Sequence, residues 1–146
     1  MKKVIGFLAA VLSMAAVLTA CAARTPISAD EFQKAAEDSG YEITQDSSYG
    51  SDVTSLVASK SDSDTKITFT VFSDSATASK EYISQKKSLA VTDGDNTIDS
   101  DAYNKYTAQS GEIYYTLIRM DNTLLFCKGT VAKKDEIDSF VKTIKY

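Results

Sequence analysis

The spacing of the apolar residues switches repeatedly between two periods, and this constrains the fold more than any other feature of the sequence. Apolar residues that recur every three or four positions predict amphipathic helices, whereas strict alternation predicts half-buried strands. Helices are predicted at about 29–39, 73–90 and 137–144, and strands at about 41–43, 53–58, 67–72, 102–108, 113–120 and 124–129. The chain is therefore expected to combine both element types in one α+β domain.

Local signals define the first helix and the turns between strands. Ser28 followed by Glu31 predicts a capping box, and Ile27 and Phe32 are placed to form the hydrophobic staple beside it. Gly40 suits the left-handed residue that ends this helix. Short polar links between the strands predict antiparallel pairing, because parallel neighbours need a long crossover. In the second helix, the predicted inward side chains are Tyr82, Ile83 and Leu89.

The predicted architecture is a six-stranded antiparallel sheet with helices, in the order α-βββ-α-βββ-α. Ile67-Thr68-Phe69-Thr70 and Leu124-Leu125-Phe126-Cys127 are each followed by a helix at a similar distance, which indicates two βββα repeats, with chance similarity as the alternative. This element order resembles the PsbP-like class, and the resemblance implies two β-β-β-α units forming one antiparallel sheet. It rests on element order alone and implies no function.

The first residues are typical of a secretory leader. Lys2 and Lys3 precede an apolar run at 4–17, which is short for a permanent membrane span of about 20 residues. Leu18-Thr19-Ala20-Cys21 then resembles the lipobox of bacterial prolipoproteins. The resemblance implies that the Cys21 thiol receives diacylglycerol and that cleavage makes Cys21 the amino terminus. The alternatives are an ordinary cleaved signal with an incidental cysteine, or an uncleaved anchor helix.

These features predict the domain organisation and the location of the protein. Residues 1–20 are expected to be the signal peptide, 21–27 the lipidated cysteine with a short tether, and 28–146 a single α+β domain. Two acyl chains hold a protein stably at a bilayer. The protein is therefore expected on the extracytoplasmic side of a membrane, attached through the diacylglycerol on Cys21.

Charge and residue types exclude several classes of function. Removing Lys2 and Lys3 from the 16 basic residues leaves 14 against 20 acidic residues, a formal charge of −6. The lysines are scattered among carboxylates along the sequence, so neither nucleic-acid binding nor a polybasic membrane contact is predicted. The chain has no histidine, which excludes Ser-His-Asp and Cys-His sites. Its six glycines are dispersed, so no phosphate loop or dinucleotide fingerprint is present, and no cofactor is predicted.

The sequence therefore predicts a noncatalytic binding or accessory module of the cell envelope, with an unidentified protein or envelope component as its partner. One alternative is a carboxylate-dependent hydrolase acting on an envelope glycan, which requires two acidic side chains across a cleft. The other is a purely structural lipoprotein. Cys127 lies within an apolar segment and is expected to be a buried hydrophobic residue and not a reactive thiol.

One acidic segment is a candidate for calcium binding, since calcium prefers clustered hard oxygens. The candidate ligands are Asp93, Asp95, Asp99 and Asp101, in a predicted loop at 91–101. An EF-hand loop that opened at Asp93 would need glycine at Ile98 and glutamate at Asn104. The spacing therefore favours a solvated acidic loop, with calcium binding as the alternative.

A partner-binding face is predicted from strand alternation. If all three helices cover one face of the sheet, the other face stays partly open, as antiparallel sheets allow. Thr68 and Thr70 alternate with Ile67 and Phe69 and are expected on the open side. The same alternation places Tyr114 and Thr116 there, opposite Tyr115 and Leu117. These four residues, Thr68, Thr70, Tyr114 and Thr116, form the predicted binding surface.

Overall fold

The computed structural model describes residues 24–89 and 96–146 and confirms the α+β class. The helices are α1 (Ala29–Asp38), α2 (Ser75–Leu89) and α3 (Lys134–Thr143), and a short 3-10 turn, Val131–Lys133, leads into α3. The strands are β1 (Glu42–Gln45), β2 (Thr54–Ser59), β3 (Lys66–Val71), β4 (Asn96–Asp99), β5 (Tyr103–Ser110), β6 (Ile113–Met120) and β7 (Thr123–Thr130). Every element predicted from the spacing of apolar residues is present.

The strands form one antiparallel sheet in the order β1-β2-β3-β7-β6-β5-β4. The prediction of six strands is wrong, because β4 pairs with β5 from Asn96↔Thr107 to Asp99↔Asn104. This edge strand lies inside the segment predicted as an acidic loop. The part of β4 whose side chains are described, Thr97 to Asp99, is exposed throughout. A strand with no buried face shows no alternation of apolar and polar residues, so periodicity cannot reveal it.

The helices cover both faces of the sheet, and the expectation that all three share one face is wrong. Helices α1 and α3 pack on one side, here called the α1/α3 face, and the core there includes Phe32, Ile67, Phe69, Leu125 and Phe140. Helix α2 packs on the other side, the α2 face, through a smaller cluster that includes Phe72, Ala78, Tyr82, Leu117 and Leu124.

The direction in which the chain leaves β3 accounts for the position of α2. Val71, the last residue of β3, packs against the core of the α1/α3 face, whereas the next residue, Phe72, belongs to the cluster beneath α2. Helix α2 buries only Ala78 and Tyr82, one turn apart, and Leu89 is partly buried beside them. Ile83 is 61% exposed, so its predicted inward position is wrong. A step of one residue turns a helix by about 100°, which carries Ile83 away from this narrow stripe.

The two predicted βββα repeats are present as an order of elements but not as a symmetric structure. Strands β3 and β7 are antiparallel neighbours at the centre of the sheet. A two-fold axis relating such neighbours would leave both following helices on the same face, whereas α2 and α3 lie on opposite faces. Within the described residues that precede β1, 24–41, the edge strand β4 also has no counterpart. The resemblance to the PsbP-like class stays a prediction.

The predicted capping box and helix stop are confirmed. The Glu31 amide donates to Ser28 Oγ at 3.2 Å, and the Ser28 amide donates to Glu31 Oε2 at 2.8 Å. Gly40 has φ +80°, the left-handed conformation expected after α1. Cys127 is completely buried in the core, as predicted. In the described part of the chain, no helix combines the length and apolar composition needed to cross a bilayer.

Candidate binding groove on the α2 face

The structure separates the four residues predicted to form one binding surface. Thr116 pairs with Cys127, which pairs in turn with Ile67, so Thr116 and Tyr114 lie on the α1/α3 face. Both are buried, Tyr114 with 5% exposure and Thr116 with none. The face assignment for β6 is therefore wrong. Large residues occupy both faces of this strand, so its sequence shows no alternation of apolar and polar residues from which a buried face could be assigned. Thr68 and Thr70 lie on the α2 face.

Only part of the α2 face is covered, and a groove of about 510 Å³ remains beside α2. Its floor contains Thr68 and Thr70 from β3, Leu124 and Phe126 from β7, and Tyr115 from β6. Thr68 is half-buried, whereas Thr70 is buried, and its hydroxyl lies 3.0 Å from Ser55 Oγ. Thr68 is therefore the predicted site residue that remains accessible in the groove.

Two aromatic side chains give the floor a flat apolar surface. The rings of Tyr115 and Phe126 are nearly parallel, with centroids 6.3 Å apart and an interplanar angle of 13°. Both residues are only half-buried, although their neighbours on the α2 face are covered by the helix. Exposed aromatic faces of this kind bind planar or apolar groups with little loss of side-chain entropy.

Two lysines lie at one end of this aromatic surface. Lys66 and Lys128 are direct cross-strand partners in β3 and β7, and both are exposed. Like charges placed opposite each other on neighbouring strands are destabilising. Neither ammonium forms an ion pair with a carboxylate in the described ranges 24–89 and 96–146. An anionic group bound between them would relieve this repulsion.

The opposite wall of the groove is held by a hydrogen-bond network between the β1–β2 loop and α2. Gln85 Nε2 donates to the Tyr49 hydroxyl at 3.3 Å and to Glu81 Oε1 at 2.8 Å. The Tyr49 hydroxyl donates to the same Glu81 oxygen at 3.4 Å. Burial, followed by the negative charge of Glu81, raises the pKa of Tyr49 above its ordinary value. The phenol therefore stays neutral and forms a fixed part of the groove wall.

Among the described residues that line the groove, one carries a carboxylate. Asp46 accepts hydrogen bonds from both the hydroxyl and the amide of Ser48, the amide bond being 3.0 Å long. These bonds lower the pKa of Asp46, the Ser48 hydroxyl having the larger effect. Asp46 is therefore an ionised turn residue whose Oδ1 is used in local hydrogen bonds.

The other predicted sites lie outside the described residues or do not assemble. Cys21, Asp93 and Asp95 belong to the parts of the chain that the structure does not describe. Asp99 accepts a 3.0 Å hydrogen bond from Asn104 Nδ2 and lies 3.9 Å from Lys86 Nζ, while Asp101 is exposed. Within residues 24–89 and 96–146, no three acidic or cysteine side chains come together in a metal-binding arrangement.

Sequence reasoning found Thr68 but missed the groove residues with the clearest binding chemistry. Lys66 alternates with Thr68 and Thr70 in β3, so the same period of two could have identified it. Tyr115, Phe126 and Lys128 required knowledge of which strands are neighbours and in which register. That information is not contained in the pattern of any single strand.

Comparison with known proteins adds evidence about the fold alone. No protein-family model matches the chain, and no curated protein sequence matches it. A crystal structure described as a GTP binding regulator from Thermotoga maritima is similar in fold, with a TM-score of 0.52 and 19% sequence identity. The likeness covers 81% of this chain and 84% of that one. It supports the antiparallel α+β fold and nothing beyond the fold.

Proposed function

We propose that this chain is the precursor of a bacterial lipoprotein whose domain binds an anionic ligand noncatalytically at the extracytoplasmic surface of a membrane. The observation that carries the binding role is the position of Lys66 and Lys128 beside the half-buried rings of Tyr115 and Phe126. This arrangement favours an envelope component that carries a planar or apolar group next to a carboxylate or phosphate.

The anchor rests on the likeness of Leu18-Thr19-Ala20-Cys21 to a lipobox. The distance along the chain is compatible with it, since Ala29, the first residue of α1, follows Cys21 by eight residues. At roughly 3.5 Å per residue, Ala29 lies within about 28 Å of the lipidated cysteine. Such a tether keeps the domain close to the membrane, where envelope components are concentrated.

A carboxylate-dependent hydrolase is less well supported by the geometry of the groove. Glycoside hydrolysis uses a pair of carboxylates separated by roughly 5 to 9.5 Å across the scissile bond. The described lining of the groove offers one acidic side chain, Asp46, whose Oδ1 already accepts bonds from Ser48, and it supplies no second carboxylate to form a pair. A purely structural role predicts no ligand at all, and ligand binding by the groove distinguishes it from our proposal.

The anchor is tested by replacing Cys21 with Ala and fractionating the cells. We expect the wild-type protein in the membrane fraction as a lipidated chain that begins at Cys21. The variant should lack the acyl mass and keep its leader, because processing of prolipoproteins depends on the cysteine. Recovery of an unmodified Cys21 in the wild-type protein would refute the anchor.

The groove is tested by fluorescence titration with 1-anilinonaphthalene-8-sulfonate, a flat aromatic anion. The chain has no tryptophan, so energy transfer from indole does not complicate the signal. We expect Tyr115→Ala to weaken binding about tenfold or more, since central aromatic contacts contribute about 2 kcal/mol. Lys66→Gln/Lys128→Gln should weaken it several-fold and reduce its dependence on salt.

A matched control uses Lys80→Gln/Lys87→Gln, which removes the same charge from exposed positions on α2 that do not line the groove. This variant should bind the probe like the wild type.

GTP is a useful second probe, because the similar structure from Thermotoga maritima is described as a GTP binding regulator and GTP also joins a flat ring to anionic groups. Equal binding of the probe by all variants would refute the groove as the binding site.

A further inference from the structure

A second groove, of about 660 Å³, lies between α3 and β5 on the α1/α3 face. Its described lining is dominated by cationic side chains that are distant in sequence. They are Arg24, Lys105, Lys134, Lys142 and Lys145. We refer to this feature as the cationic groove. The basic residues therefore converge in the fold although they are scattered in the sequence, so their scatter along the chain does not exclude a basic surface.

The positive charge in the cationic groove is largely uncompensated. Asp138 is the one acidic side chain in the described lining, and it already accepts bonds from Lys134 and from the Tyr114 hydroxyl. Lys105, Lys142 and Lys145 form no ion pair with any carboxylate in the described residues. Because the whole chain has a formal charge of −4, this separation of charge creates a local positive field on an acidic protein.

The lining of the cationic groove includes a residue of the tether, Arg24. Arg24 follows Cys21 by three residues, so its Cα lies within about 11 Å of the cysteine Cα. Its guanidinium packs over the Tyr103 ring, 4.5 Å from the centroid, and Tyr103 precedes Lys105 by two positions in β5. If Cys21 is lipidated, the groove is held at the level of the phospholipid headgroups.

An exposed apolar side chain lies beside these cations. Ile98 in β4 is the direct cross-strand partner of Lys105, so the two share a face, and Ile98 is 48% exposed. Lysine or arginine combined with an exposed aliphatic residue is typical of surfaces that rest on anionic bilayers. The cations attract headgroup phosphates, while the apolar residue contacts the region just below them.

We propose that the cationic groove docks on anionic phospholipid headgroups of the membrane that holds Cys21, and so orients the domain. This inference rests on the lipid anchor of the proposed function. Docking directs α3 and β5 towards the bilayer. The binding groove, which lies on the opposite face of the sheet, then faces away from the membrane and stays open to its ligand.

The orientation is tested by lysine acetylation and mass spectrometry of the mature lipoprotein reconstituted in vesicles. The vesicles contain either phosphatidylcholine alone or an equimolar mixture of phosphatidylcholine and phosphatidylglycerol. We expect acetylation of Lys105, Lys142 and Lys145 to fall several-fold on the anionic vesicles, and that of Lys80 and Lys87 on α2 to stay constant. The protection should disappear at about 1 M salt, where the Debye length is about 3 Å.

A pair of charge-matched variants controls for the net charge. Lys142→Gln/Lys145→Gln should reduce the protection of Lys105, whereas Lys80→Gln/Lys87→Gln should leave it unchanged. Equal acetylation of Lys105 on both vesicle types would overturn the proposal. Inorganic phosphate added to the phosphatidylcholine vesicles should protect nothing. If it protects Lys105 as fully as phosphatidylglycerol does, the groove is a site for soluble phosphate and membrane docking is refuted.

Flotation of the same samples distinguishes a failure of the docking proposal from a failure of the lipid anchor. A lipidated protein floats with phosphatidylcholine vesicles whatever the state of the groove. Failure to float refutes the anchor, and protection of Lys105 by phosphatidylglycerol in that sample would still support the groove. Normal flotation without any protection refutes the groove alone.

Discussion

The Tyr114 hydroxyl donates a 2.8 Å hydrogen bond to Asp138 Oδ1 and so joins β6 to α3. The Lys134 ammonium lies 5.0 Å from the centre of the same ring and is paired with Asp138. Tyr114 is thus a core residue with a satisfied polar tip, whereas its neighbour Tyr115 lies on the opposite face with its ring against Phe126. Two adjacent tyrosines therefore have different roles.

Tyr114→Ala should lower the free energy of unfolding by about 3 to 4 kcal/mol, as expected for truncating a large buried side chain. Tyr114→Phe should cost about 1 kcal/mol, because it removes only the hydrogen bond. Tyr115→Ala should cost no more than about 1 kcal/mol. Denaturant unfolding of the three variants measures these values. A smaller loss for Tyr114→Ala than for Tyr115→Ala would contradict the assigned faces.

Arg119 should be a strong determinant of stability although it belongs to neither groove. It is 3% exposed and donates to Asn104 Oδ1 at 2.6 Å and to the carbonyls of Asp101, Asp121 and Ser100 at 2.8, 3.2 and 3.3 Å. Arg119→Met should cost about 2 to 4 kcal/mol, because it removes four partly buried hydrogen bonds made by a charged side chain. Asn104→Ala removes one of the bonds and should cost less. Equal unfolding midpoints for wild type and Arg119→Met would exclude this role.

Acid should destabilise the protein through Glu136, which accepts from Lys60 Nζ at 2.6 Å, Lys133 Nζ at 3.2 Å and the Tyr41 hydroxyl at 3.1 Å. These contacts, above all the bond from Lys60, lower the pKa of Glu136 from 4.5 to about 2. The unfolded chain binds the proton more tightly, so the stabilisation is complete above pH 4.5 and is lost as the pH falls towards 2.

The loss should be about 1 to 2 kcal/mol, after allowance for solvent screening of a side chain that is 30% exposed. Urea titrations at several pH values measure it. Glu136→Gln should be less stable at neutral pH and should show a weaker pH dependence in this range. Identical pH profiles for the variant and the wild type would show that Glu136 is not the responsible group.

Cys127 should not react with thiol reagents while the protein is folded. The residue is fully buried, and burial raises the pKa of its thiol well above the ordinary value. The thiolate is the reactive form, so labelling requires unfolding. Reaction with a chromogenic disulfide reagent should be negligible in buffer and complete in guanidinium chloride. Rapid labelling under native conditions would indicate local opening of β7.

Calcium should leave the melting temperature unchanged. Asp99 and Asp101 do not converge with any third acidic side chain in the described residues, and Asp99 is engaged by Asn104 and Lys86. A ligand that binds only the folded state raises its stability by mass action. Melting curves with millimolar calcium and with chelator test this. A rise of several degrees with calcium would favour a site that includes Asp93 and Asp95.

The sequence by itself determined the elements whose signals are local. Ser28 and Glu31 are close enough along the chain to form a capping box, and Ile137, Phe140 and Val141 recur at the spacing of one helix face. The strands with one buried face could be predicted equally well, because the alternation of apolar and polar residues follows directly from the burial of one face. Edge strand β4 could not be predicted in this way, since its described side chains are all exposed and show no alternation of apolar and polar residues.

Only the tertiary structure decided which residues that are distant in sequence become neighbours in space. The pairing of β3 with β7 brings Lys66 opposite Lys128, and the packing of α3 against β5 brings Lys142 and Lys145 to Lys105. Strand order, register and the choice of face for a helix depend on the combined packing of segments far apart in sequence. The position of α2 on the face opposite α1 and α3 is such a choice, and α2 leaves the groove lined by Tyr115 and Phe126 open. On the other face, the packing of α3 buries Tyr114.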